Sequence, residues 1–66
     1  MHEQEFQIGD VVILNSEEHN RYTPTIMTIA KYYSERNEYG CIYFDAYKVL
    51  QIVSLPEHCL MRYKEK

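Results

Sequence analysis

Apolar positions in this chain recur with a period of two over short stretches, the spacing that sets alternate side chains on one face of a β-strand. The first such stretch is Val11–Leu14. Ahead of it Phe6 and Ile8 share the parity of Val12 and Leu14, so these four are expected to face one side, with Gly9-Asp10 permitting a bend just before the strand. Residues 15–24 hold too few apolar side chains to bury an element of their own and read as the longest loop. A second strand is expected over 25–33, rich in β-branched and aromatic residues, with Met27 and Ile29 opposed to Thr28 and Ala30. Residues 34–38 form a polar hairpin loop. The third strand, 39–45, alternates Cys41 and Tyr43 against Ile42 and Phe44, and Asp45-Ala46-Tyr47 links it to a fourth over 48–55, whose two faces are both apolar enough to be partly covered. Pro56-Glu57-His58-Cys59 breaks the alternation. Proline suits a first helical turn and cannot donate to a ladder, so one turn of helix is expected there before a last strand over 60–63 and a solvated end, Lys64-Glu65-Lys66.

Short strands, tight central hairpins, one long loop after the first strand and a helical turn before the last make the sequential plan of an all-β, five-stranded SH3-like barrel. The whole chain, 1–66, is read as that single domain. Closing a small sheet on itself also reduces the open edges that invite aggregation. The core predicted from strand parity is Phe6, Ile8, Val12, Leu14, Met27, Ile29, Cys41, Tyr43, Val53, Leu55 and Leu60.

Sixty-six residues bury only roughly 60% of the surface an unfolded chain exposes, so the core is thin and shallow recognition is a better expectation than a deep catalytic cleft. With 45% hydrophobic and 26% charged residues the composition is that of a folded domain. A net charge of −3 supplies no overall field toward nucleic acid or an anionic membrane. No apolar run approaches the ~20 residues that span a bilayer. Met1-His2-Glu3-Gln4-Glu5 lacks the basic-then-apolar order of a secretory signal, so the expected compartment is the cytoplasm. Cys41 and Cys59 are too few for a disulfide framework and read as reduced thiols behaving as small hydrophobes.

Ile8-Gly9-Asp10-Val11-Val12, Met27-Thr28-Ile29, Cys41-Ile42-Tyr43-Phe44 and Leu55-Pro56-Glu57-His58-Cys59-Leu60, taken in order with Leu14, Ser16 and Pro24, resemble the pattern of the YodC-like family of small bacterial proteins. The resemblance runs over nearly the whole chain. It departs in the segment 16–24, longer than the family's Ser-Gly-Gly-Pro loop, at Tyr43 where the family has Trp, and at Cys59 where it has Ala. What it implies is a small barrel. No activity is assigned to that family, so it implies no substrate.

Seven tyrosines are too many for so thin a core to bury with every hydroxyl satisfied. Some serve cross-strand pairing. Tyr22 in the long loop, with Tyr39 and Tyr47 near hairpin ends, are the candidates for a recognition surface, since tyrosine offers a large contact area with few torsions to freeze. A second reading, a single-stranded nucleic-acid platform, uses Lys31, Arg36, Lys48 and Arg62 interleaved with Tyr32, Tyr33, Tyr47 and Tyr63, but ten acidic residues are interspersed with them. His19, Cys41, His58 and Cys59 match the ligand count of a structural zinc site without its spacing, so no metal and no cofactor are expected. A thiol nucleophile needs a base within reach and an oxyanion site, and neither is evident. Asp10, Asp45 and Glu57 read as turn and first-turn residues. The expected function is therefore non-catalytic: an interaction module for a protein or peptide, or for a second copy of itself.

Overall fold

Alternation becomes strand in five places. The computed structural model describes residues 4–19 and 24–64. Within them β1 is Val11–Leu14, β2 Met27–Tyr33, β3 Glu38–Phe44, β4 Leu50–Pro56 and β5 Leu60–Arg62, with single 3-10 turns at Asn15–Glu17 and Glu57–Cys59. All pairings are antiparallel and the sheet order is β4-β3-β2-β1-β5.

The chain is thus all-β, as its periodicity predicts. β2 starts two residues later than expected, because the Thr25 amide donates to the Glu17 carboxylate (3.2 Å) instead of to a ladder. β4 also starts late: Asp45 gathers the amides of Tyr47 (2.8 Å) and Val49 (3.0 Å) into a turn, and Lys48 takes the left-handed conformation at φ 62°.

No ladder joins β4 to β5 among the described residues, so the sheet is not a hydrogen-bonded closed barrel. It curls nonetheless. A β-bulge sets Ile29 against Cys41 and Lys31 against Gly40, leaving Ala30 as a surplus residue that bends and twists β2. The bulge also re-phases the strand: Met27 and Ile29 point inward before it, Tyr32 after it. On the concave side lie Phe6, Val12, Met27, Ile29, Tyr39, Cys41 and Leu60, with Leu14, Tyr32, Tyr43, Val53 and Leu55 partly buried around them.

One predicted core position changes. Ile8 is 70% exposed. Parity holds only along extended chain, and between Phe6 and Val12 the backbone turns at Gly9 (φ 97°), where the Asp10 amide donates to the Gln7 carbonyl (2.9 Å). Tyr43, like Leu14, Val53 and Leu55, is partly buried and packs against the core. The aromatic at the centre is Tyr39, wholly buried at 0% exposure, edge-on to Phe6 (centroids 5.4 Å apart, 72°) and against the Tyr32 ring (4.9 Å). Its hydroxyl accepts from the Phe6 amide (3.1 Å) and donates to the Glu57 carboxylate (2.7 Å), which also accepts from the Glu5 amide (3.2 Å). Side chains therefore close the concave face. The segment before β1 and the turn before β5 meet over β3, tied to one phenol.

Candidate interaction surface

The three tyrosines expected to form one surface do not. Tyr22 lies outside the described residues. Tyr39 is a core residue, a correction with a simple cause: it shares the inward parity of Cys41, and its register partners Tyr32 and Leu55 cover it. Tyr47 is 88% exposed at the tip of the β3–β4 hairpin.

What stands beside Tyr47 is a set of residues the tyrosine argument missed. Successive side chains of β3 and β4 alternate between faces, so Cys41, Tyr43, Val53 and Leu55 turn inward while Ile42, Phe44, Leu50 and Ile52 turn outward. The register pairs Ile42 with Ile52 and Phe44 with Leu50. Nothing described covers this outer face: Ile52 is 74% exposed, Phe44 69% and Leu50 48%. The expectation that both faces of the fourth strand are partly covered therefore fails on the outer one. The signal was present in the sequence, since β4 has apolar residues at both parities in a chain too short to bury both.

The hairpin that carries this face is firmly built. Asp45 accepts at Oδ1 from the Tyr47 and Val49 amides and at Oδ2 from the Gln51 side chain (2.9 Å). The Val49 amide foremost, then the Gln51 amide and the Tyr47 amide, hold the Asp45 carboxyl below the usual carboxylate range. The Asp45 carbonyl accepts from Lys48 (2.9 Å) and its amide donates to Val49 (3.1 Å). Phe44, Tyr47 and Leu50 are thus displayed on a rigid support.

The cations of the nucleic-acid reading are dispersed and largely engaged. Lys31 and Arg36 lie over the Tyr33 ring (5.1 and 4.6 Å), which itself packs above Gly40. Arg36 pairs with Glu38 (3.2 Å), and Arg62 with Asp10 (3.2 Å) while it sits over Phe6. Tyr32 is turned toward the core, its hydroxyl donating to Asn37 (3.2 Å).

Cys41 and Cys59 are free thiols. Burial pushes the Cys41 thiol up, and it donates to the Tyr39 carbonyl (3.7 Å), so it is a packing group and not an activated one. Among the described residues no three His, Cys, Asp or Glu side chains converge as metal ligands. An open groove of about 450 Å³ between the Glu5-Phe6 segment and β5 mixes Glu5, Glu57, Arg62 and Lys64 without a convergent polar set. No helix of the described residues is long and apolar enough to cross a membrane. No family model, curated protein or solved structure matches the chain.

Proposed function

We propose that the chain is a non-catalytic interaction module that presents the outer face of the β3–β4 hairpin to a protein or peptide. The observation that carries this reading is the exposure of Phe44, Leu50 and Ile52 side by side on one sheet face, with Tyr47 at its tip. Isolated exposed apolar residues are ordinary, but large ones clustered on a rigid hairpin mark a surface meant to be covered. The architecture we assign is the SH3-like barrel. Supporting it are the strand order, the bulged second strand, the helical turn between β4 and β5, and the ordered motifs that resemble the YodC-like family. In this chain the phenol of Tyr39 and the residues it holds take the place of a closing ladder.

The nucleic-acid alternative draws less support, because Arg36 and Arg62 are already ion-paired and Tyr32 is unavailable for stacking. Affinity capture with wild type and with a Phe44→Ser/Ile52→Ser variant decides between them. Both side chains are exposed, so the variant folds and should lose its partner, while capture by wild type persists at high salt. Equal capture by the two, or retention on single-stranded nucleic acid that falls steeply with salt, overturns the proposal.

A further inference from the structure

The β3–β4 ladder shows which backbone groups of β4 are spent and which are free. Its two ends fix the alternation: the Asp45 amide donates to the Val49 carbonyl (3.1 Å) and the Glu57 amide to the Asn37 carbonyl (3.2 Å). In an antiparallel pair, hydrogen-bonded and non-hydrogen-bonded positions alternate. Between those ends the register runs without a shift, so Gln51, Val53 and Leu55 bond to β3, whereas Leu50, Ile52 and Ser54 turn their amides and carbonyls away from it. Pro56, which has no amide to offer, falls in the outward set. No described strand lies along that side, because β4 is the edge of the sheet.

Apart from Pro56 at its end, the edge lacks the usual protections. Leu50–Pro56 is seven residues long, carries no charge and contains no bulge. Its free groups are self-complementary. A second β4 laid antiparallel with Ile52 opposite Ile52 sets Leu50 opposite Ser54 in both directions and forms about six new hydrogen bonds, two at each of the three pairs. Sliding by two residues in one direction brings in Pro56, which cannot donate. Sliding in the other direction runs past the strand toward Lys48, whose left-handed backbone cannot continue a ladder. The centred register matches the Pro56-containing one in hydrogen bonds without drawing on Pro56, and it alone sets Ile52 against Ile52; it is isologous about a two-fold axis.

We infer that the free edge of β4 pairs with β4 of a second copy of this chain, antiparallel and centred on Ile52, joining the two sheets into one. This rests on reading the β3–β4 hairpin as an interface and names its occupant. The outward Ile52 side chains meet at the axis, and Phe44 and Ile42 in the neighbouring strand extend an apolar band across the junction. The contact is confined to one seven-residue strand edge and its flanking side chains, at the small end of specific interfaces, so the dimer is reversible and not obligate.

Sedimentation equilibrium of the full chain from micromolar to millimolar concentration tests it. Wild type should move from monomer to dimer and no further. Ser54→Pro removes one outward amide while leaving both the β3 ladder and the apolar face untouched, and should weaken association by at least about tenfold. Ile52→Lys, which opposes two like charges at the axis, should abolish it. Ile52→Cys in a Cys59→Ser background should oxidise to a covalent dimer, because Cα atoms of a hydrogen-bonded pair lie ~5.5 Å apart, within disulfide reach. Circular dichroism at low concentration verifies folding, and the cross-link stands as an independent reading should Ser54→Pro fail to fold. Wild type that stays monomeric throughout, or failure of Ile52→Cys to cross-link, overturns the pairing. So does a folded Ser54→Pro that dimerises like wild type. If wild type is monomeric yet captures a partner that Phe44→Ser/Ile52→Ser does not, only self-pairing has failed. If that variant captures the same partners, the interaction surface has failed with it.

Discussion

Removing a single oxygen, by Tyr39→Phe, should destabilise this domain more than most larger changes. The ring stays, with its contacts to Phe6 and Tyr32, so the cost comes from hydrogen bonds alone. The Phe6 amide loses its acceptor in a buried setting, a desolvation penalty of about 1–3 kcal/mol. Glu57 loses a charge-assisted donor, although the Glu5 amide remains to it and water can reach the partly buried site, so this part adds about 1 kcal/mol or less. The sum runs from about 1 to 4 kcal/mol and centres near 2–3, a large share of the ~5 kcal/mol available to a domain at the small end of the range. It corresponds to a fall in Tm of roughly 10–20 °C. Urea unfolding followed by circular dichroism measures it, with an unchanged m-value showing that the native state has not loosened. Tyr43→Phe is the control. Its half-exposed hydroxyl has no described partner, so its loss should stay within about 0.5 kcal/mol. A Tyr39→Phe midpoint indistinguishable from wild type would refute the closure of the concave face by that phenol.

Three further outcomes follow from the same structure. Burial first, then the bond to Glu57, push the Tyr39 phenol up to about 12. The unfolded chain ionises near its ordinary value of about 10, so the stability this group confers is intact below pH ~10 and is lost as pH rises toward 12; urea midpoints should fall more steeply over that range for wild type than for Tyr39→Phe. Asp45 is shifted the other way. Its contribution is present above the ordinary carboxylate range and disappears as pH falls through the lowered folded value, so Asp45→Ala should lower the urea midpoint at neutral pH and flatten its decline in acid. Alkylation under native conditions, read by mass spectrometry, should label half-buried Cys59 first and Cys41 only as urea unfolds the chain; equal rates would mean that Cys41 is not the packed thiol described above.

Strand existence was legible because it depends on local alternation, and all five strands lie where the period of two places them. An error entered where parity was carried through a point at which it is physically reset. The turn at Gly9 resets it for Ile8. Tyr39 is a different error. Its parity with Cys41 is readable and points inward despite its nearness to a hairpin end; its register partners Tyr32 and Leu55 cover it, and the Phe6 ring, arriving from before β1, completes the cover. The exposed face of the β3–β4 hairpin was half-legible: apolar residues at both parities of β4 were evident, but which face stays open depends on what the rest of the chain covers.

Ala30 shows how a fold can be specified by a count instead of a chemistry. The side chain is exposed, so exchanging it for another residue of good strand propensity should change little. Deleting it would leave Ile29 still opposite Cys41 and Lys31 still opposite Gly40, with every facing preserved. What the deletion removes is curvature. A flatter β2 should carry β1 less far around, drawing residue 6 away from the phenol while residue 57 stays beside it on the β3–β4 ladder. The information at position 30 is the presence of a residue, and a survey of substitutions alone would score the site as unimportant.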